Sequence, residues 1–108
     1  MLKKGDTVQF TARRWMDSYG NTYHVVDVGV LRKGANRWTD LGESDITYGY
    51  GSHYEQTGRE ILEEAFSYPR GWRSDAYYAN RDRPLWHLRD FGVEFVSDAR
   101  DVKRKRDL

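Results

Sequence analysis

Hydrophobic and polar residues alternate along the first part of the chain. Over residues 7–15, Val8, Phe10 and Ala12 fall on one side and Thr7, Gln9, Thr11 and Arg13 on the other. A period of two marks a half-buried strand. Residues 22–31 repeat the pattern in a β-branched stretch, with His24, Val26, Val28 and Val30 on a common face. Between the two, residues 17–21 supply turn formers and a glycine free to take positive φ. The pair therefore predicts an antiparallel hairpin with a loop of about five residues. Gly34-Ala35-Asn36 predicts another turn. A third strand is expected within residues 38–50, best placed at 45–50, where Ile46 and Tyr48 alternate with Thr47.

The period then changes. Tyr54, Ile61, Leu62, Ala65 and Phe66 recur at helical spacing, while Glu60, Glu63 and Glu64 fall on the opposite side. Ser52-His53-Tyr54-Glu55 has the S-x-x-E form of a capping box, which predicts Ser52 as N-cap of a helix over 52–66. Pro69 and Gly71 end it. Pro84 suits the start of a short helix over 85–91, closed by Gly92, and residues 93–96 read as a last strand. Residues 98–108 form a charged tail expected to fray. The order is β-β-β-α-α-β: an α+β fold with a small antiparallel sheet on one main helix.

At 108 residues this is one domain, residues 1–108. Only 38% of the residues are apolar and 32% are charged, so eight Tyr, four Trp and four Phe must supply much of the core. The same aromatic types dominate binding hot spots. There is no cysteine, which removes disulfides and Cys-based zinc sites. The start of the sequence lacks the apolar run of a signal peptide, and no segment approaches the ~20 apolar residues of a membrane span. Net charge is +1, with a basic excess over residues 1–38 and 65–108 and an acidic one over 39–64. That balance is too even for a general nucleic-acid binder.

Little in the sequence fits catalysis. His24, His53 and His87 lack metal-ligand spacing. No G-x-S-x-G elbow is present, and Gly49-Tyr50-Gly51 lacks the remaining residues of a P-loop or dinucleotide fingerprint. That Gly-rich turn nevertheless leads from a strand into a helix N-terminus, where backbone N–H groups favour anions. No cofactor and no metal are expected. Two clusters instead concentrate groups that stack and hydrogen-bond: residues 14–24, with Arg14, Tyr19, Asn21, Tyr23 and His24, and residues 48–57, with Tyr48, Tyr50, His53 and Gln56. A third stretch, 72–83, interleaves Trp72, Tyr77 and Tyr78 with Arg73 and Arg81. Arginine there suits phosphate, carboxylate or an aromatic face.

Three segments resemble a family of short bacteriophage proteins to which no activity is assigned. They are Arg13-Arg14-Trp15 through Tyr19-Gly20-Asn21-Thr22-Tyr23-His24; Tyr48-Gly49-Tyr50-Gly51 with Tyr54, Gln56 and Thr57; and Asp101-Val102-Lys103-Arg104-Lys105-Arg106-Asp107-Leu108. The resemblance implies a phage or prophage origin and action in the host bacterial cytoplasm. By that context it implies a role against host defence.

Two functions follow as expectations. One is a non-catalytic protein that sequesters a nucleotide-type defence signal. Its site would be lined by Arg14, Tyr19, Asn21, Tyr23, His24, Tyr48, Tyr50, His53 and Gln56. The other is an anti-CRISPR-like inhibitor that grips a bacterial defence protein, with Trp72, Arg73, Tyr77, Tyr78 and Arg81 as an alternative contact set. No membrane partner is expected in either, and either is compatible with a homo-oligomer. A hydrolase working through His24 or His53 is the least favoured reading.

Overall fold

In the computed structural model, which describes residues 1–72 and 84–108, the predicted hairpin forms with full register. Strand β1 (Thr7–Met16) pairs antiparallel with β2 (Thr22–Leu31), from Thr7 opposite Leu31 to Met16 opposite Thr22. Asp17 closes the loop. Its carboxylate accepts the N–H groups of Tyr19 and Asn21, each at 2.9 Å, and Gly20 takes φ +85°.

The alternation sorts the faces as the sequence implies. Val8, Phe10 and Ala12 of β1 and His24, Val26, Val28 and Val30 of β2 are all buried on one face. Against that face lies α1 (Tyr54–Ala65). Tyr54, Gly58 and Leu62 form its buried stripe, Ile61 and Phe66 pack partly against the core, and Ala65 is exposed. Gly58 lets the helix approach closely, since a Cβ there would meet the Phe10 ring at 2.6 Å. Phe10 packs edge-on against Phe95, with centroids 5.1 Å apart.

The remaining elements depart from the sequence pattern. The stretch expected to hold one strand holds two short ones, β3 (Thr39–Glu43) and β4 (Thr47–Tyr48), both antiparallel to β2. Residues 85–91 form a 3₁₀ helix whose last turn ends on Gly92 at φ +76°. Strand β5 (Glu94–Asp101) is longer than expected and pairs in parallel with β1. The sheet is therefore mixed, in the order β3-β2-β1-β5 with β4 beside β2. β1 and β5 can run in parallel because α1 and the 3₁₀ helix intervene, as a parallel pair requires a long crossover.

The capping box is not formed. Ser52 lies inside a 3₁₀ turn (Gly51–His53), His53 is the residue before α1, and no side chain caps the helix. Glu55 instead accepts the Ser97 hydroxyl at 2.9 Å, and Ser97 is also bonded to the Tyr54 hydroxyl at 2.8 Å. That network ties the first turn of α1 to β5. Beyond β5, residues 102–104 lead to a further 3₁₀ turn (Lys105–Asp107). Among the described residues, no helix is long and apolar enough to cross a membrane.

Candidate functional site

The two aromatic clusters meet at one end of the sheet. The reason lies in the register: Trp15 is opposite Tyr23, and Tyr23 is opposite Tyr48, so all three project from the face away from α1. Trp15 stacks on Tyr23 at 5.8 Å, Tyr23 meets Tyr48 edge-on at 5.6 Å, and Tyr48 meets Tyr50 edge-on at 5.4 Å. The Tyr48 hydroxyl donates to that of Tyr50 at 2.9 Å, which donates onward to Asn21 Oδ1 at 3.4 Å. The result is one row crossing from β1 to the chain before α1. Its outer members are open to solvent: Tyr48 is 52% exposed, Tyr50 53% and Tyr19, at the tip of the loop, 89%.

Asp17 lies beside this row, bonded to Asn21 and close enough for its charge to act on Tyr50. Desolvation pushes its carboxyl up, but hydrogen bonds from Asn21, Tyr19 and Gly20 outweigh it, and the net pKa lies below the ordinary value. The Tyr50 hydroxyl is held above its ordinary pKa, first by its hydrogen bond with Tyr48 and further by the charge of Asp17. Both groups keep fixed charge states near neutrality.

His24 and His53 lie on the other side of the sheet, between β2 and the start of α1. His24 is only 1% exposed, and its Nε2 lies 2.8 Å from the Thr57 hydroxyl. Burial lowers its pKa, a hydrogen bond with the Gly49 backbone opposes that, and nearby His53 lowers it further. The net shift is downward, so His24 is neutral near pH 7. The rings of His24 and His53 are 5.7 Å apart. This pair supports the Tyr48-Gly49-Tyr50 segment from below.

Arg14 belongs to a third region, on the same face as His24 but where the β1–β5 pairing ends. Its Nε donates to Asp101 Oδ1 at 3.0 Å and its Nη1 to the Gly51 carbonyl at 3.1 Å. β5 stops pairing at Asp101, opposite Arg14, so Trp15 and Met16 extend beyond it. The space left there is a cleft of about 560 Å³ lined by Arg14, Trp15, Met16, Thr22, Gly51, Asp101, Val102 and Lys103. Trp15 also borders a smaller cleft of about 220 Å³ with Asp17, Tyr23, Ile46 and Lys105.

The nine expected ligand-binding residues therefore divide. Asn21, Tyr23, Tyr48 and Tyr50 share the aromatic row, and Tyr19 stands at its margin. His24 and His53 lie beneath it, Arg14 lines the larger cleft, and Gln56 is exposed on α1. Of the alternative set, Trp72 is buried and stacks on Tyr68 at 4.6 Å, making it part of the core. Arg73, Tyr77, Tyr78 and Arg81 lie outside the described residues.

Sequence reasoning did not single out Trp15, Thr22, Asp101 or Lys103 as site residues. Trp15 lay in plain view beside Arg14. The tail residues were hidden, because their arrival depends on the parallel pairing of β5. Among the described residues, no three His, Cys, Asp or Glu side chains converge to hold a metal ion.

No family model, curated protein or solved structure matches this chain.

Proposed function

We propose that this is a non-catalytic binding protein that sequesters a nucleotide-type ligand in the Arg14 cleft. The resemblance to phage proteins makes a bacterial defence signal the natural cargo. One observation carries the reading: Arg14, Lys103, Thr22 and Trp15 converge on a cleft of about 560 Å³. That volume falls in the range of small-molecule sites. Arginine and lysine supply charge for phosphate, Thr22 a hydroxyl for hydrogen bonding, and Trp15 and Met16 apolar residues at the margin.

The test is native mass spectrometry of protein purified from defence-activated bacteria, followed by chromatography of the released ligand. A retained, chemically intact nucleotide is the expected result. Protein without cargo that also ignores a nucleotide panel in calorimetry defeats the proposal. Conversion of the nucleotide to a product would replace sequestration with catalysis.

A second reading, direct inhibition of a defence protein, is favoured by the exposure of Tyr19, Tyr48 and Tyr50 beside exposed Met16 and Ile46. Outward tyrosines of this kind are typical of protein-binding hot spots. Capture of one host protein by the wild type, lost on Tyr50→Ala and retained on Arg14→Gln, would select this reading.

A further inference from the structure

We infer that the ligand of the Arg14 cleft is a dinucleotide, and that it displaces Asp101 from Arg14 on binding. This rests on the nucleotide reading above and narrows it.

A second groove of about 510 Å³ adjoins the cleft, lined by Arg100, Asp101, Val102, Lys103, Arg104 and Asp107. Asp101, Val102 and Lys103 form the wall common to both. Each groove alone has the volume of a small-ligand site, so the adjoining pair has room for two nucleotide units. The cations follow the same division. Arg14 serves the first groove, Arg100 and Arg104 the second, and Lys103 stands between them. Two phosphate positions are thereby supplied, and Trp15 borders the first groove only.

Asp101 and Asp107 oppose an anion here, and the way Asp101 is held explains how it yields. Its backbone is fixed opposite Arg14 by the β1–β5 register, but its side chain is 79% exposed. An exposed ion pair of this kind contributes little. A phosphate offers Arg14 a stronger, bidentate partner. Asp101 thus holds the guanidinium in place while the cleft is empty, and gives it up to phosphate. Nη1 remains on the Gly51 carbonyl, which keeps the orientation during the exchange.

The experiment is calorimetric titration of the full chain with AMP, ADP, the linear dinucleotide pApA and cyclic di-AMP. ADP has two phosphates on one nucleoside, so it separates phosphate count from nucleotide count. At least one dinucleotide should bind about tenfold or more tighter than AMP or ADP, and which one does distinguishes linear from cyclic cargo. Arg14→Gln and Arg104→Gln should each weaken it about tenfold, in line with loss of a charge-assisted pair. Asp101→Asn should strengthen it, a gain that a structural role for Asp101 does not produce. Thermal melts confirm that each variant is folded.

AMP binding as tightly as both dinucleotides, still sensitive to Arg14→Gln, would overturn the dinucleotide inference and leave the nucleotide reading standing. Failure of all four to bind would remove both. Unchanged or weaker binding by Asp101→Asn would overturn the displacement.

Discussion

Gly49 and His53 are packed so closely that a Cβ on Gly49 would lie 2.5 Å from the imidazole ring. The glycine is buried, and its N–H donates to the Thr22 carbonyl at 2.9 Å. A side chain there has to push His53 away or lift the strand. Gly49→Ala should therefore cost about 1–3 kcal/mol, as overpacking does, and should disturb Tyr48 and Tyr50 together. Chemical denaturation reads the first effect and tyrosine ring NMR shifts the second. An unperturbed variant would mean that the histidine pair does not support the aromatic row.

The contact between α1 and the sheet rests on Leu62, which is fully buried. Leu62→Ala should cost about 2–5 kcal/mol in urea denaturation. A loss below about half a kcal/mol, the size of a surface substitution, would place the helix face wrongly.

His24 should make stability rise with pH. Its folded pKa is lowered by burial and by His53, so the unfolded state binds the proton more readily. The contribution is fully present above the unfolded value of about 6.5. It is lost as pH falls below that value toward the folded pKa. Urea midpoints between pH 8 and pH 5 should fall for the wild type, and fall less for His24→Gln.

Asp27 titrates in the opposite sense. Burial, the hydrogen bond with Asp40 and the charges of Asp40 and Glu43 raise its pKa. Its stabilising effect is therefore present at low pH and declines as pH rises through the raised value. Asp27→Asn should flatten that decline above pH 4. A decline that persists in the variant would assign the titration elsewhere.

Tyr48 and Tyr50 are exposed, and their mutual contacts are edge-on. Replacing either by alanine should lower stability by less than about 1.5 kcal/mol. An effect on partner binding far larger than that would mark the row as a recognition surface.

Much of this was legible in the sequence because it depended on local periodicity. The faces of β1 and β2, the buried side of α1 and the Gly92 stop all follow from spacing and residue type. β3 was missed because Thr39-Asp40-Leu41-Gly42-Glu43 has no alternation and a single apolar residue, Leu41; pairing to β2 makes it a strand. The capping box failed because Glu55 found a better partner in Ser97, 42 residues away. Ser97 itself lies in the polar half of β5, which ended the expected strand too soon. The site was legible to the same degree. Neighbouring aromatics announced the row, while the cleft depended on contacts between distant parts of the chain.

That separation gives the cleft a thermodynamic role. Arg14 and Asp101 stand 87 positions apart, and both line the same cleft. A ligand held between β1 and the segment following β5 acts as a removable cross-link. It closes a long loop in the native state and has no counterpart once β5 detaches. Its occupancy should raise the unfolding midpoint in proportion to the logarithm of free ligand above Kd. The slowing of amide exchange should begin in β5, the strand that closes that loop.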